Sequence, residues 1–174
     1  MRADLRVIGP SASIKRYLAS GQTQVLAGEP LHSTSVRTSG AGNSNVYVLA
    51  AADTPVVGTH QFGGVAQADT DNVAAGTTKA QFLTTANPVP CVGRIRGKAE
   101  TLANVDTLAE LVAILSDSVL IDYNSTGGAD GGELYTIKDT ASADSSGLEV
   151  VGGNTALGEL EVTVDARAYR TDVA

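Results

Sequence analysis

The residues from Glu159 to Tyr169 alternate between polar and apolar side chains, and this pattern constrains the fold more than any other part of the chain. A period of two places all apolar residues of a strand on one face and the polar residues on the other. Such a segment fits an antiparallel sheet that covers a core on one side and meets water on the other. The apolar set is Leu160, Val162, Val164, Ala166 and Ala168.

Composition extends this prediction to the whole chain of 174 residues. Aromatic residues make up 4% and tryptophan is absent, so small residues must fill the core, while 19 glycines favour tight turns. These values exclude a collagen, a coiled coil, a disulfide-stapled scaffold and a strongly basic nucleic-acid binder. Short apolar segments recur at the spacing typical of small β domains. They cover 25–31, 46–50, 56–66, 80–84, 89–95, 119–123, 134–138 and 148–151.

One segment has the period of a helix. From Thr107 to Ser116, four apolar residues follow the spacing i, i+3, i+4 and i+7, and we expect their stripe to face the core. Thr107 and Glu110 have the spacing of a capping box, which satisfies free N–H groups of a first turn. The predicted fold is therefore mainly β, a compact β-barrel or β-tulip-like domain with one inserted α-helix. The stripe consists of Leu108, Leu111, Val112 and Leu115.

The charge distribution suggests three regions. Residues 1–40 carry five basic and two acidic side chains, whereas residues 99–150 carry ten acidic ones and a single base, Lys138. Residues 1–20 have neither a helix nor a strand period, which predicts an extended N-terminal arm. Residues 21–174 are then expected to form a single β-rich domain, with an acidic, helix-containing insertion at about 99–150. A basic arm on an acidic body suggests contact with a neighbouring molecule. The contact residues predicted in the arm are Arg2, Leu5, Arg6, Val7, Ile8, Ile14, Lys15, Arg16 and Tyr17.

Candidates for catalysis and metal binding are few. Cys91 is the single cysteine, and we expect a buried thiol that packs as a small hydrophobe. A nucleophilic site would need it beside His32 or His60, but no sequence around any serine or around Cys91 has the form of a nucleophile elbow. The acidic segment 69–72 resembles part of a calcium-binding loop, but its sequence fits an Asx turn better. We therefore expect neither an enzyme nor a cofactor or metal.

Targeting signals are equally sparse. The first residues lack the apolar run of a signal peptide, and no stretch is long enough for a membrane span. These features predict a soluble protein that stays in the compartment where it is made.

Four successive segments between residues 21 and 98 together form one pattern: a turn, a short strand, a glycine-rich strand and a final turn of small residues. They are Ala27–Leu31, Val46–Ala50, Phe62–Asp69 and Ala74–Gly76. This pattern resembles the small capsid decoration proteins of tailed bacteriophages, also called cement or head-stabilising proteins. The low charge, the missing tryptophan and the richness in small residues are similar too.

The resemblance implies a structural virion protein that binds the outside of a capsid and stabilises it by bridging capsid subunits. It implies the major capsid protein and other copies of this chain as partners, a trimer on the shell, synthesis in the host bacterial cytoplasm, and no nucleic acid or membrane. Its N-terminal arm would contact the capsid or a neighbouring copy. Two alternatives stay open: another virion part (tail tube, head completion or fibre base), and a small β-fold enzyme or binding module. The lack of tryptophan counts against sugar binding.

Overall fold

A computed structural model describes residues 5–18, 24–33, 46–49, 61–70, 82–123, 135–142 and 146–169. Most of these residues lie in short strands, so the mainly-β prediction is confirmed. One α-helix, α1, spans Leu108–Ala113 within the described residues. The strands are β1 Leu5–Ile8, β2 Ser11–Leu18, β3 Pro30–Ser33, β4 Val46–Leu49, β5 Gln61–Ala66, β6 Phe82–Pro88, β7 Arg94–Lys98, β8 Ile121–Tyr123, β9 Tyr135–Ile137, β10 Leu148–Asn154 and β11 Glu159–Val164.

Four of the strands form an antiparallel sheet in the order β1-β7-β11-β10. The predicted alternation is confirmed as far as Val164, because Leu160, Val162 and Val164 are completely buried on one face. The strand ends there, and Ala166–Tyr169 forms a 3₁₀ turn instead of continuing it. The opposite face is not open to water as expected, since Glu159 and Glu161 are buried as well. On β7, Ile95 lies opposite Val162 and is equally buried. Removing a leucine or valine side chain from water contributes about 1.5–3 kcal/mol, so this face carries much of the stability of the fold.

A second set of strands pairs in a closed cycle, β2-β4-β3-β5-β6. The seam between β2 and β6 joins seven residue pairs, whereas β2 meets β4 in parallel through only two, Tyr17 with Val46 and Leu18 with Tyr47. Strands β8 and β9 form a separate hairpin-like pair. The described strands are thus divided among three sheets. Phe62 of β5 connects the cycle to the core of the four-stranded sheet, where its ring packs 5.7 Å from that of Tyr169.

The N-terminal segment corrects the expected arm and its domain boundary. Residues 5–18 form β1 and β2, which belong to two different sheets, and Leu5 is 1% exposed in the core. Gly9 adopts a φ of 74° at the turn between the two strands. The strand period of this segment could not be recognised in the sequence because the turn interrupts it after the four residues of β1. The segment is therefore part of the folded body and not an arm outside it.

The acidic region 99–150 is also more integrated than expected. Val119, Ile121, Tyr135 and Ile137 are at most 1% exposed and lie in the same core cluster as the four-stranded sheet. Ala99 bridges Ile137, which ties the start of this region to its second strand. These residues of the acidic region therefore belong to the packed body, since they supply core side chains.

Two glycines fix the position of α1 against the sheet. A Cβ on Gly153 would collide with the carbonyl oxygen of Glu159 and lie 3.0 Å from Cδ1 of Leu111, so the helix approaches β10 where a side chain is missing. Gly158 has a φ of 58°, which favours glycine, and the side chain of Leu102 lies directly over it. The helix and the short 3₁₀ turn before it therefore lie at the end of the sheet where β11 begins.

Candidate interaction surfaces

The outer face of the four-stranded sheet carries a set of paired charges that we call the charge ladder: Arg6, Arg94, Arg96, Glu159 and Glu161. Strand register creates it, because Arg6 lies opposite Arg96, and Arg96 lies opposite Glu161. Arg94 Nη1 donates to Glu161 Oε2 at 2.9 Å, and Arg96 Nε donates to Glu161 Oε1 at 3.0 Å. Arg6 Nη2 donates to Glu159 Oε1 at 2.7 Å. Each arginine of the ladder therefore has a carboxylate partner within the chain.

The ladder holds Glu161 ionised. Burial opposes the charge on this carboxyl, but the hydrogen bonds and positive charges of Arg96 and Arg94 outweigh it and hold its pKa below the usual value. The same hydrogen bond with Glu161 raises the pKa of Arg96. The carboxylates lie beneath the arginines, which remain exposed to about a third or a half of their surface. The solvent therefore meets mainly the guanidinium groups of the ladder, and the two glutamates beneath them neutralise most of their positive charge.

The helix begins at the predicted capping box. Thr107 N–H donates to Glu110 Oε2 at 3.0 Å, and Glu110 N–H donates to Thr107 Oγ1 at 3.3 Å. The box satisfies two N–H groups that have no partner within a helix of this length. Hydrogen bonds from Thr107 lower the pKa of Glu110. Helix α1 is nevertheless shorter than predicted, since it ends at Ala113.

The orientation of the helix overturns the expectation that its whole apolar stripe faces the core. Leu111 is buried at 9% exposure, whereas Leu108 is 71%, Val112 56% and Leu115 39% exposed. The spacing of these three residues keeps them on one side of the helix and of the turn that follows it. We call Leu108, Val112 and Leu115 the apolar stripe. Leu102 and Leu157, also exposed, lie nearby at the end of the sheet where Leu102 covers Gly158.

Two acidic side chains lie at the start of the helix, on the side away from the apolar stripe, since Glu110 is two residues from both Leu108 and Val112. Asp106 precedes the cap and is exposed to solvent, whereas Glu110 lies in the first turn and is partly exposed. A hydrogen bond with Glu110 and the negative charge of that carboxylate raise the pKa of Asp106.

The residues considered for catalysis are not assembled into a site by the described part of the chain. Cys91 is exposed in the turn between β6 and β7 with a φ of 61°, so the expectation of a buried thiol is wrong. The strand predicted at 89–95 contains this turn, which Pro88 and Gly93 delimit. His32 is buried in β3, and His60 lies outside the described residues. Asp69 accepts a hydrogen bond from Ala27 N–H at 2.8 Å, which is a structural role in a turn.

The predicted arm contacts occupy varied environments. Leu5 cannot reach a partner because it is buried, and Arg6 belongs to the charge ladder. Val7 is partly buried and packs against the main core cluster. Lys15 is exposed on β2, while Ile8, Ile14 and Arg16 are partly buried. Arg2 and the side chain of Tyr17 lie outside the described residues.

Comparison with known proteins adds no family assignment. A scan against protein-family models found no match, and a search of curated proteins found no similar sequence. Within the described ranges, no group of three or more histidine, cysteine or acidic side chains is arranged to hold a metal ion. No helix in those ranges has the length and apolar character needed to cross a bilayer.

Sequence reasoning missed the charge ladder, although a signal was present. Arg94, Arg96 and Lys98 alternate with small or apolar residues, as do Glu159 and Glu161, which places each set on one face of a strand. The missing information was that β7 and β11 are neighbours. Only the register between the two strands turns two alternating charge patterns into ion pairs.

Proposed function

We propose that this chain is a structural virion protein that binds the outer surface of a tailed-phage capsid and stabilises it by bridging neighbouring capsid subunits. The observation that carries the proposal is the apolar stripe: Leu108 and Val112 are more than half exposed on a helix whose capping box and contact with Gly153 define its position. Apolar side chains grouped on a fixed element are typical of protein-binding surfaces. The resemblance of residues 21–98 to decoration proteins supplies the kind of partner.

The cycle of β2, β4, β3, β5 and β6 is, in this proposal, the compact barrel of a decoration protein. Residues 5–18 do not bind the capsid as a free arm in this proposal, because they pair with other strands within the sheets. The chain is made in the host cytoplasm, joins the outer capsid surface and forms trimers there. Repetition over a symmetric shell then strengthens a contact that is weak for a single copy.

The test mixes the purified chain with capsids of the encoding phage that were assembled without it. We expect the chain to sediment with the shells, to occupy symmetric positions in a reconstruction by electron microscopy, and to raise the temperature at which the shells break. The matched control is a heat-unfolded sample of the same chain. A folded chain that stays in the supernatant at every concentration would contradict the proposal.

A further inference from the structure

Helix α1 and the turn before it are held against the sheet by apolar contacts. Leu111 packs where β10 has a glycine, Val105 is 1% exposed in the core, and Leu102 lies over Gly158. The hydrophobic effect depends on the area removed from water and has no preferred direction. These contacts therefore restrict the rotation of the helix less than hydrogen bonds do.

A buried carboxylate supplies a directional contact. Asp139 lies two residues after β9, is 4% exposed, and accepts two hydrogen bonds from the segment before the helix. Thr101 N–H donates to Asp139 Oδ2 at 2.7 Å, and Asn104 Nδ2 donates to Asp139 Oδ1 at 3.2 Å. Hydrogen bonds to a charged acceptor are strong and weaken steeply when their angle changes. The two bonds therefore fix the orientation of this segment relative to β9.

The two donors lie at the start and the end of a 3₁₀ turn, Leu102–Asn104. Thr101 is the residue before the turn, and its own side chain makes no cap hydrogen bond. Only Val105 and Asp106 separate Asn104 from the helix cap at Thr107. A rotation of the turn is therefore carried into α1 and changes the direction of the apolar stripe.

A gain in stability is a weak reason for burying this charge. Moving a carboxylate out of water is costly, and well-packed apolar side chains often stabilise a fold as well as buried charges do. Two hydrogen bonds from one turn to the two oxygens of Asp139 instead favour a single geometry of that turn.

We infer that Asp139 is a positioning residue for the apolar stripe: it sets the direction in which α1 presents Leu108 and Val112 to the capsid. The inference rests on the proposed function, in which the stripe is the binding surface. Asp139 is buried, so it acts through the 3₁₀ turn and touches no partner itself. Its loss should change the helix direction and the affinity for shells together, while the sheets keep their structure.

The first measurement needs no capsid. Residual dipolar couplings report the direction of the amide N–H bonds of α1 relative to those of β7 and β11. In the parent chain we expect both sets to fit one alignment. In Asp139→Ala we expect the couplings of residues 108–113 to fall towards zero, because the helix then samples several directions, while those of β7 and β11 stay as they are.

The matched control is Asp165→Ala. Asp165 also accepts a backbone N–H, from Arg167 at 2.8 Å, but it follows the end of β11 that lies away from the helix. A loss of stability shared by both variants leaves the couplings of α1 unchanged in Asp165→Ala.

The second measurement is sedimentation with shells, at a temperature where every variant is folded. We expect Asp139→Ala to bind about fivefold or more weakly than the parent, because only molecules with the helix in the right direction can bind, and Asp165→Ala to differ by less than about twofold.

An exchange of the two side chains tests the contact itself. Asn104→Asp alone sets two carboxylates against each other, and we expect it to bind shells more weakly than the parent. Asp139→Asn combined with Asn104→Asp restores a hydrogen bond between the two side chains and leaves an acceptor for Thr101 N–H. We expect this double variant to bind within about twofold of the parent.

The outcomes separate the two proposals. A parent chain that ignores shells overturns the proposed function and removes the binding role of Asp139 with it. A parent chain that binds shells no better than Asp139→Ala does overturns the positioning inference alone. Couplings of α1 that are the same in Asp139→Ala and the parent overturn it as well. If Asp139→Ala does not fold, Asn104→Asp decides, and affinity equal to that of the parent would overturn the inference.

Discussion

Strand β11 and helix α1 contribute to the same core but present opposite chemistry to solvent. The outward residues Glu159 and Glu161 of β11 are charged, and each is paired with arginine: Glu159 with Arg6 of β1, and Glu161 with arginines of β7. The outward residues of α1 include Leu108 and Val112, which the described part of the chain leaves exposed. One element satisfies its outer face within the chain, whereas the other does not.

The difference follows from the number of neighbours. Strand β11 lies between β7 and β10, so each of its side chains meets a cross-strand partner on one face or the other. Helix α1 touches β10 through Leu111 at Gly153 and turns its other side away. The alternation of a central strand therefore predicts which of its side chains enter the core, while the spacing in a helix at the end of a sheet does not, because apolar side chains there can stay exposed.

A leucine-to-alanine substitution in each of the two regions tests this comparison with the largest expected difference. We expect Leu160→Ala to lower the free energy of unfolding by about 2–5 kcal/mol, because it opens a cavity in a fully buried position. Leu108→Ala removes the same atoms from an exposed position and is expected to change it by less than about 0.5 kcal/mol. Urea unfolding measures both. Similar losses for the two variants would mean that the helix packs against the chain through Leu108.

The charge ladder gives the next largest expected effect. Replacing Glu161 by glutamine leaves Arg94 and Arg96 with a neutral acceptor, and we expect the free energy of unfolding to fall by about 1–3 kcal/mol at pH 7. The partners lower the pKa of Glu161 in the folded chain, so its stabilising contribution is fully present above the unfolded value of about 4.3 and is lost as the pH falls through the folded pKa. Thermal unfolding from pH 7 to pH 2 measures the gap between parent and Glu161→Gln. A gap that stays constant down to pH 2 would show that the ladder does not act through ionisation of this residue.

The helix cap gives the smallest effect. Thr107→Ala removes the hydroxyl that accepts from Glu110 N–H, and we expect a loss of about 1 kcal/mol in the free energy of unfolding. Thr107→Ser keeps the hydroxyl and serves as the control, with stability close to that of the parent. Since Leu111 enters the core from this helix, the alanine variant should also speed amide exchange at α1 more than at β11. Equal stability of the alanine and serine variants would argue against a structural role for the box.

How far the sequence predicts the molecule depends on how local each feature is. The alternation of β11 and the capping box at Thr107 are local, and the predictions are confirmed for the box and for the strand as far as Val164. The placement of Leu5 in the core and the partners of Glu161 depend on pairings with residues about 90 and 65 positions away. No pattern within a short window carries that information. The spacing in α1 predicted the helix correctly but could not say which side has a sheet behind it.

Cys91 gives the molecule a single chemical handle in a useful place. It is the one cysteine of the chain, its thiol is exposed, and its N–H is bonded to the carbonyl of Val164, where β11 ends. The helix lies where β11 begins. A maleimide dye or a gold particle attached to this thiol would therefore mark the end of the sheet that lies away from the apolar stripe. In any assembly that contains the chain, the position of that label would report directly which end of the protein points outward.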